Sequence, residues 1–420
     1  MGSNTISLSH PTGSLRGTVE LTGSKSESNR ALIIQAWGGG AVEVANLSSA
    51  ADTETLKQAL DTVAHAVGND DAPAVIDIGP AGTAMRFLTA YLSTTRGRYL
   101  LTGSERMKQR PIGILVDALR VLGANIEFAG QAGYPPLAIS GGFRQVTDTV
   151  TVKGDVSSQY LSALLLIAPT LPNGLRLQIE GELTSRPYLI MTLDMLSEAG
   201  IRHDWKGNTI HIAPQQAQPT HLTVEPDWSA ASYWYAMAAL SKDADLFLPN
   251  LKSKSLQGDA AIVDIMAHFG VESSFIKGGL SIRKNPDYRP GKIQLLDFKE
   301  CPDLAQTVVV CAAALRQNVS FTGLHTLKIK ETDRIAALQT ELGKFGVKLV
   351  EDGEVYHLQT EGLSEPPHLC VDTYEDHRMA MAFAPLALVF NKMQVREPDV
   401  VEKSYPDFWK HLKQHGFVIT

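Results

Sequence analysis

A polar turn followed by a run of small apolar residues returns six times along this chain. The six segments are TGSKSESNRALIIQAW, GPAGTAMRFLTAYL, GDVSSQYLSALLLIA, EPDWSAASYWYAMAAL, CPDLAQTVVVCAAAL and TYEDHRMAMAFAPLAL. Their marker residues are Lys25, Gly82, Ser157, Asp227, Asp303 and Asp376. These markers lie 57, 75, 70, 76 and 73 residues apart, close to one sixth of the 420-residue chain. Such a period is too long for a solenoid repeat, and it suits a unit of a few strands and two helices.

The helices predicted for these six segments are apolar nearly all round, so each should be buried. Between them lie stretches such as PIGILVDALRVLGANIEF and RIAALQTELGKFGVKLV. Each of these predicts an amphipathic helix, a glycine stop and a strand. We therefore expect repeated α+β units with one buried and one surface helix apiece. Chance similarity in an alanine-rich chain is the alternative, and it stays open at this point.

Each buried helix would begin at Ser, Gly or Asp, where free backbone N–H groups and the helix dipole favour an anion. Cationic side chains lie at or near these helix starts: Lys25, Arg30, Arg86, Arg378, and Arg106 in the nearby SERMKQRP loop. The chain as a whole carries a formal charge of −7. Cations placed locally in an acidic protein indicate a small, multiply charged anionic ligand.

Composition limits the class of protein. A chain of 420 residues is expected to form two domains. A pI near 6 and the lack of a long basic run argue against a nucleic-acid partner. The apolar stretches are too short to span a bilayer, and no secretory signal pattern opens the sequence. The three cysteines form no CxxC pair, so we expect a protein of the reducing cytoplasm.

The segment KIKETDR, residues 328–334, crowds five charges into seven positions. If it is helical, Lys330 and Arg334 share a face, and such a like-charge pair costs about 0.2–0.5 kcal/mol. One interpretation is a solvated helix face on which Lys330 pairs with Asp333 and Glu331 with Arg334. The other is a pair of cations that bind an anion, with a carboxylate beside them for proton transfer.

Other local motifs are weak when taken singly. GSKSESNR is not a Walker A loop, because the glycine spacing is missing. The serines of DVSSQYL fit simple helix capping as well as they fit ligand binding. EDHR has no second ligand at a suitable helical spacing, so we expect no metal site.

Taken in order, nine motifs resemble those of the 5-enolpyruvylshikimate-3-phosphate synthase family of enolpyruvyl transferases. They are GSKSESNRAL, AGTAMR, ERMKQRPI, VSSQYL, SRPY, PDLAQT, KETDR, DHRMAM and KSYPDF, and they cover residues 20–410. The resemblance implies an α/β fold: a two-domain inside-out α/β barrel of six βαβαββ-type units, three per domain, with buried central helices. The first domain would span 22–225, the second 1–21 and 226–420, and the active site would lie in the cleft between them.

The resemblance also implies a reaction. The enolpyruvyl group of phosphoenolpyruvate passes to the 5-hydroxyl of shikimate 3-phosphate through a tetrahedral intermediate, and phosphate is released. No metal or organic cofactor is needed, and the expected partners are these two substrates, with no nucleic acid and no membrane. We expect a monomer.

Matching the motifs residue by residue gives three expected sets. The shikimate 3-phosphate set is Lys25, Ser26, Arg30, Ser157, Ser158, Gln159, Ser185, Tyr188, Asp303, Thr326 and Lys330. The phosphoenolpyruvate set is Lys25, Gly82, Arg106, Gln159, Arg334, Arg378 and Lys403. In the catalytic set, Asp303 is the base on the 5-hydroxyl and Glu331 exchanges a proton with carbon 3, with Lys25 assisting. Three departures from the family pattern, Pro80, Phe87 and Thr326, bear on affinity and leave the catalytic groups intact.

Two alternatives share this fold. A transferase that acts on UDP-N-acetylglucosamine uses a cysteine on a mobile loop, and this chain has no cysteine before Cys301. A non-catalytic phosphosugar-binding protein would not need Asp303 and Glu331. An assay of phosphate release with and without shikimate 3-phosphate separates these alternatives.

Overall fold

The computed structural model describes residues 4–66, 72–155, 157–289, 291 and 293–420. Residues 1–3, part of the opening segment for which no secretory signal is predicted, and Val156 of the VSSQYL motif lie outside the described residues. The chain divides into two compact units, one of residues 23–224 and one of residues 1–22 and 225–420. The family resemblance predicts that the chain passes from one domain to the other near residue 21 and returns near residue 225.

Each unit has six α-helices among its described residues, and buried helices alternate with helices that keep one face exposed. In residues 23–224 they are α1 (Lys25–Trp37), α2 (Ala51–Ala66), α3 (Gly82–Thr94), α4 (Gly113–Leu122), α5 (Ser158–Ile167) and α6 (Arg186–Glu198). In the other unit they are α7 (Trp228–Leu240), α8 (Ile262–Ala267), α9 (Ala305–Ala314), α10 (Arg334–Gly343), α11 (His377–Phe383) and α12 (Phe408–Gln414).

The buried helices are the six that the sequence predicts from its apolar runs: α1, α3, α5, α7, α9 and α11. In α7, every residue from Trp228 to Leu240 except Ser229 is buried. The amphipathic helix α4 ends at Gly123, whose φ of +114° suits glycine, and a strand follows at once. One buried and one surface helix per repeat is therefore confirmed.

The strands are β1 (Thr5–Ser9), β2 (Ser14–Thr18), β3 (Val42–Ala45), β4 (Ala74–Asp77), β5 (Gly97–Thr102), β6 (Asn125–Phe128), β7 (Leu137–Gly141), β8 (Thr149–Lys153), β9 (Leu175–Glu180), β10 (Asp204–Lys206), β11 (Thr209–Ile212), β12 (Thr220–Thr223), β13 (Asp243–Pro249), β14 (Val271–Ile276), β15 (Gly279–Lys284), β16 (Leu295–Asp297), β17 (Ser320–Thr322), β18 (Lys348–Asp352), β19 (Val355–Gln359), β20 (Leu369–Val371), β21 (Met393–Arg396) and β22 (Val418–Ile419).

The described strands form three small sheets in each unit. Residues 23–224 carry the orders β4-β5-β7-β6, β10-β11-β9-β8 and β12-β3. The other unit carries β14-β15-β13-β2, β16-β17-β19-β18 and β20-β21-β1-β22. Three sheets and three buried helices per unit give the threefold repetition expected from the sequence. The first two strands, β1 and β2, join two different sheets of the unit that is completed only after residue 225.

Within the described ranges, no helix combines the length and the apolar character needed to cross a membrane. Nor do the described His, Cys, Asp and Glu side chains form a group of three or more that could hold a metal ion.

Candidate active site

In residues 23–224, the start of α1 places Lys25 beside a buried carboxylate. Ser24 caps the helix by accepting a hydrogen bond from the N–H of Glu27. Lys25 follows at the first helical position, and its Nζ lies 3.2 Å from Oδ2 of Asp52, which is buried. The partly exposed ammonium group is thus held at the helix start, where the dipole favours an anion.

Arg30, one turn further along α1, is buried and extensively bonded to the protein. Its Nε donates to Oγ1 of Thr192 at 2.8 Å and its Nη2 to Oγ of Ser162 at 3.1 Å. The guanidinium also donates to the backbone oxygens of Ser26 and Tyr188. Burial lowers the pKa of Arg30 to about 10. Arg30 therefore fixes the backbone of two predicted ligand residues and joins α1 to α5 and α6.

The start of α3 packs against Arg110, which was not among the site residues predicted from the sequence. An added Cβ on Gly82 would lie 2.6 Å from Nη1 of Arg110, so the guanidinium of Arg110 lies directly against this glycine. Arg106, the residue expected in this place, is exposed, and its Nη1 donates to Oε1 of Gln109 at 3.4 Å. Of the two arginines in ERMKQRP, the structure brings Arg110 to the helix start.

A local signal explains which arginine reaches Gly82. Arg110 precedes Pro111, and a residue before proline avoids helical geometry. Its backbone is extended, with φ −91° and ψ 126°, and it ends the 3-10 helix Met107–Gln109. Arg106 lies in helical geometry at the other end of the same short helix. The arginine–proline pair was the signal that could have identified Arg110.

The start of α5 is joined to the start of α3. Ser157 caps α5 by accepting a hydrogen bond from the N–H of Gln159, and Ser158 is the first helical residue. Nε2 of Gln159 donates to Oγ1 of Thr83 at 3.3 Å. Ser157 is exposed, whereas Ser158 and Gln159 are half-buried. Ser157 therefore caps the helix and is also exposed. Capping and ligand binding are compatible, because an exposed hydroxyl can contact a ligand while it caps the helix.

Ser185 and Tyr188 lie at the start of α6. Ser185 is buried and has a φ of +54°, a left-handed conformation that is uncommon for serine. Such strain at a polar residue is typical of sites where the surrounding structure dictates the geometry. Tyr188 is half-buried, and its ring lies 5.7 Å from the guanidinium carbon of Arg30.

In the other unit, Asp303 lies among three cations. Its Oδ1 is 3.1 Å from Nη1 of Arg334 and 3.9 Å from Nζ of Lys330. Its Oδ2 is 3.0 Å from Nη2 of Arg378. Arg334 and Arg378 are buried. Burial alone would raise the pKa of Asp303, but Arg378, Lys330 and Arg334 outweigh it and hold the pKa well below its usual range.

The KIKETDR segment is not helical throughout, which corrects the geometry assumed for it. A 3-10 helix covers His325–Ile329, and α10 begins only at Arg334. Asp333 caps α10 by accepting hydrogen bonds from the N–H groups of Ile335 and Ala336. It is therefore a capping residue, and the nearest carboxylate recorded for Lys330 is Asp303.

Glu331 bridges two cations. Its Oε2 lies 2.9 Å from Nη2 of Arg334, as the solvated-face interpretation expected, and its Oε1 lies 3.5 Å from Nζ of Lys403. Both side chains are largely buried, so this pair does not lie on a solvated face. We call Asp303, Lys330, Glu331, Arg334, Asp376, Arg378 and Lys403 the Asp303 cluster.

Asp376 fixes the two arginines of this cluster. The side chain of Asp376 is fully buried; its Oδ2 lies 2.7 Å from Nε of Arg334, and its Oδ1 accepts from the backbone N–H of Arg378. The two residues before it, Tyr374 and Glu375, both have left-handed φ angles of 55° and 56°. Tyr374 is held by a 2.7 Å hydrogen bond from its hydroxyl to Oε1 of the buried Glu341. The strained turn at Tyr374 and Glu375 thus positions Asp376 beside the two arginines.

The three departures from the family pattern have definite places. Phe87 is buried, and the guanidinium of Arg30 lies 5.4 Å from the centre of its ring, which provides a cation–π contact. Pro80 is exposed. Oγ1 of Thr326 is buried and has no hydrogen-bond partner among the residues that the structure describes.

Two groups of side chains therefore stand out. The first, which we call the helix-start cluster, comprises Lys25, Gly82, Arg110, Ser157, Ser158, Gln159, Ser185 and Tyr188. The second is the Asp303 cluster. The first offers hydroxyl groups, an amide and two cations, which can bind an anionic, hydroxyl-bearing ligand. The second combines carboxylates that can move protons with arginines and lysines that can bind a carboxylate or phosphate.

Comparison with known proteins agrees with this chemistry. The model of the EPSP synthase (3-phosphoshikimate 1-carboxyvinyltransferase) family matches residues 9–412. A 3-phosphoshikimate 1-carboxyvinyltransferase of Bacteroides fragilis is 48% identical over 411 residues, covering 96% of each chain. One from Vibrio atlanticus is 36% identical, covering 96% of this chain and 97% of its own.

Solved structures share the fold. The EPSP synthase of Acinetobacter baumannii superposes with a TM-score of 0.77 at 20% identity, covering 99% of each chain. The enolpyruvyl transferase NikO of Streptomyces tendae gives a TM-score of 0.72 at 16% identity, covering 100% of this chain and 99% of its own. With the family model matched almost end to end and relatives this similar in sequence, the chain belongs to the EPSP synthase (3-phosphoshikimate 1-carboxyvinyltransferase) family.

Proposed function

We propose that the helix-start cluster and the Asp303 cluster together carry out the reaction of this family, a step of aromatic amino acid biosynthesis. The enzyme transfers the enolpyruvyl group of phosphoenolpyruvate to the 5-hydroxyl of shikimate 3-phosphate. Carbon 3 of the enolpyruvyl group takes a proton while the hydroxyl oxygen attacks carbon 2. The tetrahedral adduct then loses a proton from the methyl group at carbon 3 and expels phosphate, which restores the double bond.

Asp303 is the proposed base on the 5-hydroxyl, and its surroundings are the observation that carries the proposal. Arg378, Lys330 and Arg334 hold the pKa of Asp303 low, which makes it a weak base. Anionic substrates that engage the same cations would offset their charge, and the pKa of Asp303 would then rise. Asp303 would therefore become a stronger base when the substrates are bound, which is when the reaction needs one.

Glu331 is the proposed proton donor to carbon 3 and the later acceptor of a proton from the same carbon, with Lys25 assisting. Its two oxygens lie against Arg334 and Lys403, at 2.9 and 3.5 Å. Both cations belong to the proposed phosphoenolpyruvate set, so Glu331 lies beside the groups that would bind that substrate. A carboxylate there can exchange a proton with the carbon next to the bound carboxyl and phosphate groups.

For shikimate 3-phosphate, we propose the hydroxyl, amide and cationic groups expected from the motifs. They are Lys25, Ser26, Ser157, Ser158, Gln159, Ser185, Tyr188, Asp303, Thr326 and Lys330, and the buried Arg30 holds the backbone of Ser26 and Tyr188 for them. The hydroxyl oxygen of Thr326, which has no hydrogen-bond partner among the described residues, supports this set, because a buried polar atom without a partner is costly unless a ligand satisfies it.

For phosphoenolpyruvate, we propose Lys25, Gly82, Gln159, Arg334, Arg378 and Lys403, with Arg110 in place of Arg106. The support is the guanidinium of Arg110 beside Gly82, where the absent Cβ leaves room for it. An arginine there can bind a carboxylate or phosphate through two parallel hydrogen bonds.

The test is an assay of phosphate release in purified protein with phosphoenolpyruvate and shikimate 3-phosphate. We expect phosphate only when both substrates are present. UDP-N-acetylglucosamine, supplied in place of shikimate 3-phosphate, should give none. Release with that acceptor would favour the sister transferase, and binding of both substrates without release would favour a non-catalytic protein.

The monomeric state and the cytoplasmic location expected from the sequence are part of this proposal. Light scattering on the purified protein tests the first, since a monomer has the 45.5 kDa mass of one chain. Fractionation of cells that express the tagged chain tests the second.

A further inference from the structure

Asp259, a buried carboxylate that is not among the predicted site residues, is linked to Arg378 through one intervening side chain. Asp259 belongs to the 3-10 helix Gly258–Ala261 and is only 5% exposed. Two hydrogen bonds hold this segment against the start of α7: Gln257 accepts from the N–H of Trp228 and donates to the backbone oxygen of Pro226 at 2.9 Å. The segment is therefore fixed where α7 begins.

Ser229 connects Asp259 to the Asp303 cluster. The hydroxyl of Ser229 donates a short hydrogen bond to Oδ2 of Asp259. The same Oγ accepts a hydrogen bond from Nη2 of Arg378 at 3.3 Å. A serine hydroxyl has one proton, so the proton given to Asp259 leaves the lone pairs of Oγ free to face the guanidinium.

The protonation state of Asp259 sets the direction of that serine proton. An ionised Asp259 can only accept, so Ser229 donates to it and accepts from Arg378. A protonated Asp259 can itself donate to Ser229. The serine proton is then no longer held on Asp259 and one lone pair of Oγ is used to accept from it, so the hydrogen bond from Nη2 of Arg378 loses its fixed acceptor and is weakened.

The charges around Asp259 place its titration in a useful range. Burial raises the pKa of Asp259 to about 7, the negative charges of Asp303 and Asp227 add to the rise, and Arg378 and the Ser229 hydrogen bond oppose it. Among the described residues, Oδ1 of Asp259 has no hydrogen-bond partner, which disfavours the ionised form further. The buried thiol of Cys301 is a further titratable neighbour, and its raised pKa keeps it neutral.

We propose that Asp259 is a positioning residue that orients the guanidinium of Arg378 through the hydroxyl of Ser229. The inference rests on the proposed role of Arg378 in binding phosphoenolpyruvate. Arg378 also donates to the hydroxyl of Tyr233 and to the backbone oxygen of Asp303, both through Nη1. The relay through Ser229 acts on Nη2, the nitrogen that also faces Oδ2 of Asp303.

The test compares kcat and KM for phosphoenolpyruvate in the wild type and in Asp259→Asn between pH 5.5 and 8.5. At pH 8, we expect the variant to raise KM about tenfold, since hydrogen bonds to charged groups are worth about that factor or more, and to change kcat much less. The ratio of wild-type to variant kcat/KM should fall as the pH drops through about 7. Taking the ratio cancels the titration of the substrates' own phosphate groups.

Two variants serve as companions. Ser229→Ala removes the relay and should show the same loss, and the double variant should lose no more than either single one. Asp264→Asn is the matched control, because this aspartate is exposed on the adjacent α8, and its pH profile should follow the wild type. The Ser229→Ala result decides the matter if Asp259→Asn fails to fold or if its amide oxygen still accepts from Ser229.

Arg378→Lys separates this inference from the proposed function beneath it. If Arg378→Lys leaves KM for phosphoenolpyruvate unchanged, the role proposed for Arg378 is wrong. If it raises KM while the Asp259→Asn ratio is flat with pH, the relay alone is overturned. A loss of kcat in Asp259→Asn at unchanged KM would also overturn the relay.

Discussion

Glu331 has two cationic neighbours and one proposed task, which makes a conservative substitution informative. Glu331→Gln keeps the shape of the side chain and an oxygen to accept from Arg334, but it removes the proton that would move to carbon 3. We expect substrate KM values to change little and kcat to fall about 10²–10⁴-fold, the usual contribution of general acid–base catalysis.

The measurement is the rate of phosphate release at saturating substrates. Glu351→Gln is a suitable control, because Glu351 is exposed and its recorded partner is Lys328 rather than a residue of the Asp303 cluster. Turnover of Glu331→Gln close to the wild type would remove Glu331 from the mechanism.

The two arginines of ERMKQRP form a matched pair for a second experiment. Arg110→Ala removes the guanidinium beside Gly82 and should raise KM for phosphoenolpyruvate at least tenfold, because a charge-assisted, paired hydrogen bond is lost. Arg106→Ala should leave KM within about twofold, since Arg106 is exposed. Steady-state kinetics on both variants decides between them, and the reverse ranking would restore the assignment expected from the sequence.

At the residue scale, the sequence predicts side-chain chemistry better than side-chain direction. It predicted Asp303, Glu331, Arg334 and Arg378 as site residues, and the structure brings these four side chains together. It gave no indication of the role proposed for Asp259, because only tertiary packing of the segment around Gln257 buries that carboxylate. No local pattern distinguishes Asp259 from an exposed aspartate.

At the scale of elements, the all-apolar runs predicted the buried helices, because a helix without a polar face has no stable place at a surface. The boundary of α10 was harder to predict. Charged residues before Arg334 fit a helix by spacing, but Asp333 takes hydrogen bonds from two N–H groups and starts the helix there. Capping competes with helix continuation, and here capping prevails.

This cap should matter for both stability and activity. Asp333→Ala removes two hydrogen bonds at the start of α10 and should lower the free energy of unfolding by about 0.5–2 kcal/mol. Because Arg334 is the first residue of the helix, fraying there would also loosen its contacts with Asp303 and Asp376, and kcat should fall.

Calorimetry and kinetics on Asp333→Ala check both effects. Asp333→Asn is the control, because asparagine caps a helix about as well as aspartate and should restore both properties. If the asparagine variant is as impaired as the alanine variant, the charge of Asp333 and not its cap is what matters.

At the scale of the whole molecule, the raised pKa of Asp259 links stability to pH. In the unfolded chain this carboxyl ionises near pH 4, and in the folded protein near pH 7. The stability that its neutral form contributes is fully present below about pH 4 and is lost as the pH rises to about 7.

Asp259→Asn cannot ionise, so its stability relative to the wild type should improve as the pH rises from 4 to 7. The full difference is on the order of 4 kcal/mol, from about three pH units at 1.36 kcal/mol each. Calorimetric melting temperatures of both proteins across this range provide the measurement. A constant difference with pH would show that Asp259 ionises normally in the folded state.

The first and last strands of the chain are neighbours, so the same protein could be encoded as a circularly permuted chain. β1 and β22 run antiparallel with Leu8 opposite Ile419, and Ser7 and Thr420 exchange backbone hydrogen bonds of 2.7 and 3.1 Å. A hairpin of a few residues could therefore join residue 420 to residue 4. A circularly permuted chain opened between Thr22 and Gly23 would encode residues 23–224 first and the other unit as one uninterrupted stretch. We expect that permutant to fold and to retain activity. That result would show that the second unit does not need to be encoded in two separate segments in order to fold.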